Sequence, residues 1–113
     1  MNLGAAAEGL AARFLAEQGL AILSRNYRCR GGEIDIVARD GRTLVFVEVR
    51  MRRNRAFGGP AESITFAKRR RLRLAAQHYL ARLRSEPPCR FDAVLLDALD
   101  VERIEWLQAI DLD

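Results

Sequence analysis

Three carboxylates lie on two short, apolar segments of the chain. Glu33 and Asp35 stand within Gly32–Val37, and Glu48 stands within Phe46–Arg50, thirteen residues past the aspartate. Carboxylate oxygens are the hard ligands that divalent cations such as Mg²⁺ prefer. Acids of this kind could hold a cation and activate water for hydrolysis, provided that the fold brings the two segments side by side.

The dipeptide Asp40-Gly41 separates the two segments and is a strong signal for a tight β-hairpin. Turns of two or four residues centred on this dipeptide both place Glu33 directly opposite Glu48. Alternate residues of a strand share a face, so this register puts the three acids on one face beside Arg50. The opposite face is expected to carry Ile34, Ile36, Val45, Val47 and Val49.

Such a cluster needs positive charge, because two carboxylates about 4 Å apart repel by about 4 kcal/mol at an effective dielectric near 20. A bound divalent cation would offset this repulsion directly. An ion-pair network on a solvated sheet face would offset it with arginines drawn from Arg28, Arg30, Arg50 and Arg52. Taken alone, the residues leave both arrangements open, and a hairpin register different from the expected one is a third alternative.

The elements that would position these residues follow from the spacing of the apolar side chains. Helices are predicted over 3–18 and from a cap at Ser63 or Thr65 to about Arg84. Strands are predicted over 21–29, 33–39, 42–51, 91–97 and 104–110. This order predicts an α/β fold in which helices pack against a mixed sheet. The 113 residues, half of them apolar, predict a single domain.

Charge and hydropathy indicate where in the cell the protein is expected and which partners it could have. No run approaches the roughly 20 apolar residues of a membrane span, and the N-terminus lacks the basic start of a secretion signal. We therefore expect a cytoplasmic protein with no membrane partner. The net charge is +4, and Lys68 is the only lysine among 19 basic residues. An arginine-rich chain of this kind makes its one lysine informative.

Two basic clusters, 50–55 and 68–73, follow the acids in sequence. Contacts from such residues to phosphate give affinity for nucleic acid without sequence information. The phosphate-contact candidates are Arg52, Arg53, Arg55, Lys68, Arg69, Arg70 and Arg73. A solvated charged face is the alternative interpretation.

Three further residues are expected to have no part in catalysis. Arg90 and Asp92 share a face of the fourth predicted strand, which favours a structural ion pair. His78, the only histidine, is expected at the surface of the second helix.

Gly32–Val37 followed by Phe46–Arg50 resembles the core of PD-(D/E)XK nucleases, in which an Asp and a variable spacer precede Glu-x-Lys; the last position here is Arg50. The fuller pattern resembles the YraN family of bacterial proteins, which is similar in pattern to archaeal Holliday junction resolvases. The words that carry this resemblance are Ala7-Glu8, Asn26-Tyr27-Arg28, Gly32-Glu33-Ile34-Asp35, Phe46-Val47-Glu48-Val49, Lys68 and Arg90-Phe91-Asp92.

The resemblance implies a restriction-endonuclease-like three-layer sandwich with a central mixed five-stranded sheet. It also implies an endonuclease that cleaves DNA, branched or structured DNA included, with Mg²⁺ or Mn²⁺ held by Asp35, Glu48 and Glu8. The nuclease pattern requires no acid at Glu33, which is expected to support the site through Arg28 or Arg50. Resolvase-like relatives act as dimers, so a homodimer is implied as well. The alternative is a catalytically inactive nucleic-acid-binding module with the same fold.

Arg50 departs from the nuclease pattern, because an arginine stays protonated and cannot act as a general base. Three explanations compete: drift to arginine in a chain that avoids lysine, loss of catalysis with binding retained, and transfer of the lysine role to Lys68. Lys68 shares a helical stripe with Leu72 and Tyr79, so it is expected to face the sheet near the acids. A lysine that merely touches phosphate or solvent remains the alternative.

Overall fold

The computed structural model of the protein describes residues 3–51, 64–97, 99 and 101–112. In this part of the chain the helices are α1 (Leu3–Glu17) and α2 (Phe66–Ala81). The strands are β1 (Ala21–Cys29), β2 (Gly32–Asp40), β3 (Thr43–Met51), β4 (Cys89–Leu96) and β5 (Ile104–Leu107). The predicted order of elements is confirmed, although β5 and α2 each end three residues before the predicted position. No helix in the described ranges is both long enough and apolar enough to span a membrane.

The five strands form one mixed sheet whose spatial order, β1-β2-β3-β4-β5, is also their order in the chain. Strands β3 and β4 are parallel, and the other neighbours are antiparallel. A parallel pair needs a crossover connection, and α2 lies within that connection. The two helices pack on opposite faces of the sheet, so the predicted α/β three-layer sandwich is confirmed.

Helix α1 lies close to the first face because its inward stripe is made of small residues. Ala7, Ala11 and Leu15 are buried there against Ile36 and Val47 of the sheet. The helix ends before Gly19, whose φ of +99° is one that glycine adopts without strain. This placement matters for Glu8, which follows the buried Ala7 directly on the helix.

Helix α2 covers the second face and begins at a well-formed cap. The side chain of Thr65 accepts a hydrogen bond of 3.2 Å from the backbone N–H of Lys68. Of the two predicted caps, Thr65 is therefore the one that the structure uses, and Ser63 lies outside the described residues. Leu72 and Ala75 are buried against the sheet beside Phe46. The cap and this buried stripe together fix the rotation of α2, and with it the direction of Lys68.

Gly32, at the start of β2, allows α2 to approach the sheet closely. A Cβ at this position would lie 2.5 Å from the Arg71 carbonyl oxygen and 2.8 Å from the Ala75 nitrogen. Both are backbone atoms, so a side chain could fit only if the helix moved away. We expect Gly32→Ala to lower the free energy of unfolding by about 1–3 kcal/mol, as overpacking of this kind does. Urea unfolding followed by circular dichroism measures the change.

Gly9→Ala is the matched control for this substitution. A Cβ at Gly9 would meet Arg25 Nη2 at 3.8 Å, an ordinary contact, and alanine is favoured over glycine in a helix interior by about 0.5–1 kcal/mol. The control should therefore be neutral or stabilising. Equal unfolding curves for the two variants would contradict the close approach of α2 at Gly32.

Candidate active site

The β2–β3 hairpin differs in register from the sequence prediction. Asp40 pairs with Thr43 and Ile36 pairs with Val47, so the two-residue loop is Gly41-Arg42 rather than Asp40-Gly41. Gly41, with φ of +61°, supplies the left-handed conformation at the first loop position. The predicted pairing of Glu33 with Glu48 is therefore wrong by a step of two residues, and continuing the observed register brings Asp35 beside Glu48.

The prediction that Ile34 shares a face with Ile36 is also wrong. Ile34 packs in the apolar cluster under α2, whereas Ile36 packs in the cluster under α1. Asp35 lies between them, just beyond Ile36↔Val47, the pair at which the regular β2–β3 ladder stops. At this end of β2, Gly32 lies close to the backbone of α2. Asp35 thus occupies the point where the strand departs from strict alternation.

Asp35, which is half-buried, and Glu48, which is buried, form a pair of carboxyl groups, called the acid pair below. Asp35 Oδ2 accepts a 2.8 Å hydrogen bond from the backbone N–H of Val49, which fixes its side chain. Burial raises the pKa of Glu48 to about 7, and the negative charge of Asp35 adds to the shift. Burial likewise raises the pKa of Asp35, while the Val49 N–H opposes the rise. The pair therefore resists carrying two charges without added positive charge.

Lys68 is the cation that contacts the acid pair. Its Nζ lies 3.4 Å from Glu48 Oε1, and its side chain is 35% exposed while that of Glu48 is 7% exposed. The amine of Lys68 therefore reaches the acid pair from α2, on the sheet-facing side that the stripe of Lys68, Leu72 and Tyr79 predicted. Arg50 is half-buried further along β3, and among the described residues the ion pair with Glu48 is made by Lys68 instead.

Glu8 approaches the same region from α1. Burial raises its pKa, and the negative charge of Asp35 raises it further, so the two acids are within electrostatic reach of each other. Arg25 and Arg28 act in the opposite direction. Glu8 Oε1 is buried and has no hydrogen-bond partner within the described part of the chain. A buried acceptor without a partner is costly, and this oxygen suits a ligand that the protein itself does not supply.

Glu33 lies at the rim of the candidate site and forms ion pairs with two arginines. Its carboxylate lies 3.6 Å from Arg71 Nη2 and 3.9 Å from Arg28 Nε. Arg28 was an expected partner, whereas Arg71 was missed. The signal for it was available, because Arg71 follows Lys68 by three residues and so lies on the same side of α2. Glu33, Glu48, Lys68 and Arg71 together line a small cleft, called the acid cleft below.

The donor set suits a magnesium ion held by the acid pair. Magnesium binds through one or two carboxylates and keeps water and phosphate oxygens as its other ligands. Asp35 and Glu48 supply two such carboxylates, and the unpartnered oxygen of Glu8 lies on the neighbouring element. Within the ranges that the structure describes, no group of three or more acidic, histidine or cysteine side chains is placed to hold a metal ion. The chemistry of the residues present therefore fits a partly hydrated ion.

Other predicted residues serve the fold. Asp92 is fully buried and accepts hydrogen bonds from Arg90 Nε at 3.1 Å, Trp106 Nε1 at 3.0 Å and the Ala109 N–H at 2.9 Å. This confirms the structural ion pair of Arg90 and Asp92, which ties β4 to the segment around β5. His78 is exposed, as expected, and its Nδ1 is hydrogen-bonded to the hydroxyl of Tyr27.

The candidate phosphate-contact residues have different surroundings. Arg70 is exposed on α2, and Arg69 is half-buried. Arg73 Nη2 donates a 2.9 Å hydrogen bond to the carbonyl of Leu112, so Arg73 helps to anchor the chain end. Arg52, Arg53 and Arg55 lie outside the described residues.

Comparison with known proteins places the chain in a family. Residues 7–96 match the model described as "Uncharacterised protein family UPF0102". The chain belongs to the UPF0102 family. A UPF0102 protein of Methylobacillus flagellatus is 57% identical over 107 residues, which cover 95% of this chain and 94% of that protein. One of Cupriavidus taiwanensis is 61% identical over 113 residues, which cover 97% of this chain and 83% of that protein.

The family assignment made from the sequence is confirmed, because the YraN family is the UPF0102 family. The matched range includes Glu8, the acid pair and Lys68. The whole candidate site of this UPF0102 chain therefore lies within the part that defines the family.

Proposed function

We propose that this UPF0102 protein is a magnesium-dependent endonuclease that hydrolyses DNA phosphodiesters, with branched or otherwise structured DNA as its substrate. The observation that carries the proposal is the contact of Lys68 Nζ with the buried Glu48 of the acid pair, at 3.4 Å. Two acids and a lysine are the groups that the nuclease pattern requires. Here the lysine comes from α2 rather than from the position of Arg50.

The identity of the base at this point decides what chemistry is available. A lysine amine can bind a water molecule and can release a proton when its surroundings favour the neutral form, whereas an arginine stays charged at any ordinary pH. Lys68 is partly exposed beside the half-buried Asp35 and the buried Glu48, so solvent reaches its side chain. Lys68 therefore restores the function that Arg50 cannot provide.

Magnesium, when bound, would neutralise charge on the phosphate and make a bound water more acidic. The residues of the chain perform the remaining tasks. The Val49 N–H holds Asp35 in one orientation, Lys68 holds Glu48, and Glu8 offers a further acceptor oxygen from α1. Lys68 then orients the attacking water beside Glu48. The contacts of Glu33 keep Arg28 and Arg71 at the rim, where they would meet the substrate backbone.

Calorimetry of Mg²⁺ binding to the wild type, Asp35→Asn and Glu48→Gln, followed by cleavage assays on the same preparations, tests this proposal. The substrates are a four-way junction, a flap, a single strand and a plain duplex. Both variants should lose magnesium binding and cleavage, because each removes one of the two carboxylates of the acid pair. Glu17→Gln, which neutralises an exposed acid on α1, is the matched control and should behave as wild type.

A non-catalytic DNA-binding module is the second candidate, and Arg50 at the lysine position of the pattern favours it. In that case the wild type neither binds Mg²⁺ nor cleaves any substrate, with or without DNA present. It would still bind DNA through its arginines, with an affinity that falls steeply as salt rises. Cleavage by Asp35→Asn at the wild-type rate would sink the nuclease proposal directly.

A further inference from the structure

A groove of about 380 Å³ opens on the outer side of α2, beside the acid cleft. It is lined by Gly31, Phe66, Ala67, Arg70, Arg71 and Leu74. Binding sites for small molecules have volumes of roughly 300–1,000 Å³, so the groove has room for one flat ring system and part of what is attached to it.

Two apolar side chains in the groove are unusually exposed. Phe66, the first residue of α2, is 77% exposed, and Leu74 is 39% exposed. Phe66, Arg70 and Leu74 follow one another at intervals of four residues, so they form one stripe of the helix, separate from its buried stripe. An exposed phenylalanine next to arginines offers a ring face for stacking and cations for an anion.

Arg71 connects this groove to the candidate active site. It lines the groove and also the acid cleft, where Glu33 holds its guanidinium at 3.6 Å. If a phosphate of the nucleic acid lay at the acid pair, a neighbouring nucleotide of the same strand would therefore reach the groove. Arg70 and Arg71 would meet the intervening backbone.

We propose that the groove binds one unpaired nucleobase, stacked on Phe66, of the nucleic acid whose phosphate lies at the acid pair. The inference rests on the proposed function and deepens it. A base in an intact duplex is stacked and paired, so its face is not available to Phe66 unless it is first extruded. The substrate class is then DNA with an unpaired segment at the cleavage point, such as a single strand, a flap or the open centre of a junction.

The positive charge of the groove favours a nucleic acid over a second copy of the chain as the molecule that binds there. Among the described residues that line the groove there are two arginines and no acid, in a chain of net charge +4. Two copies meeting on this face would bring arginines opposite arginines, and like charges in contact repel. A polyanion with flat aromatic bases complements both the cations and the exposed ring.

The experiment measures DNA binding without cleavage, by fluorescence anisotropy in EDTA. The probes are a short labelled oligothymidine and a duplex of the same length. Phe66→Ala should weaken single-strand binding on the order of tenfold, the usual effect of losing one base–aromatic stack, and should leave duplex binding unchanged. Phe66→Tyr, which keeps a stacking ring, should restore the affinity. Leu83→Ala, which shortens another exposed leucine, is the control and should have no effect.

Oligothymidines with one abasic position refine the test, because they lose a base but keep every phosphate. At one position the abasic probe should bind wild type as weakly as the full probe binds Phe66→Ala. The variant itself should not discriminate against that probe. Since Phe66 is largely exposed, the substitution does not threaten folding.

Failure of this inference is distinct from failure of the nuclease proposal. If wild type cleaves DNA with Mg²⁺ but Phe66→Ala weakens single-strand and duplex binding equally, the groove does not hold a base and the inference is overturned. The same holds if Phe66→Ala turns a dimer into a monomer in sedimentation, since the groove would then be a contact between copies. Phe66-dependent binding of single strands without any cleavage would support the groove and count against the nuclease.

Discussion

Lys68→Arg is expected to lower the rate of DNA cleavage by a factor of about 10²–10⁴, the usual contribution of a positioned acid or base. The substitution keeps the positive charge beside Glu48, so the acid pair stays compensated and DNA affinity should change little. What is lost is an amine that can hold water and exchange a proton. Single-turnover cleavage and anisotropy on the same variant measure the two quantities separately.

Arg84→Lys is the matched control, because it exchanges the same two side chains at an exposed position after α2. It should leave cleavage and binding at wild-type levels. A Lys68→Arg variant with full activity would mean that the site needs only a charge at this position. In that event the assignment of the lysine role to α2 would be wrong, although the acid pair could still be the metal site.

The double variant Arg50→Lys with Lys68→Arg gives a sharper result. It restores lysine at the usual position of the nuclease pattern while removing it from α2. Partial recovery of cleavage, relative to Lys68→Arg alone, is expected because both positions adjoin Glu48, one along β3 and the other across the cleft. Such recovery would show that a lysine at either position, 50 or 68, can perform the same role in cleavage.

Local sequence signals predicted the elements of the site well. The stripe of Lys68, Leu72 and Tyr79 correctly indicated that the amine faces the sheet, because helical periodicity fixes direction without knowledge of the partner. The acids were also expected together. An error of two residues in the hairpin register preserves alternation, so by itself it changes only which acid lies opposite Glu48.

The parts that could not be predicted depend on contacts between distant segments. Nothing in the run around Ile34 signals that it packs under α2 while Ile36 packs under α1. That change lies close to the approach of Gly32 to the backbone of α2, a contact that exists only once the helix is docked. The exposure of Phe66 likewise depends on how α2 meets the sheet.

Glu48→Gln is expected to make the metal-free protein more stable near neutral pH while abolishing magnesium binding. Burial raises the pKa of Glu48 from 4.5 in the unfolded chain to about 7 in the folded one. The folded state then binds this proton more tightly than the unfolded state does. Its contribution to stability is complete below the unfolded pKa and is lost as the pH rises from 4.5 through about 7.

The expected loss is about 3–4 kcal/mol in wild type by about pH 8, since one pKa unit corresponds to about 1.4 kcal/mol. Glutamine does not titrate, so the variant should lose much less stability over the same interval. Thermal and urea unfolding in EDTA at a series of pH values measures the difference. Glu17→Gln, at an exposed position, should follow the wild-type curve.

Added Mg²⁺ should reverse the order of stability at the same pH. A cation that binds the folded state stabilises it by mass action, and only the wild type keeps both carboxylates of the acid pair. A variant less stable than wild type in EDTA would show instead that the ion pair of Lys68 and Glu48 outweighs the cost of burial. The expected result bears on function, because glutamine at this position would give the metal-free protein the higher free energy of unfolding. A glutamate that destabilises the metal-free protein is favoured when a cation such as a metal ion, in addition to Lys68, occupies the site while the protein works.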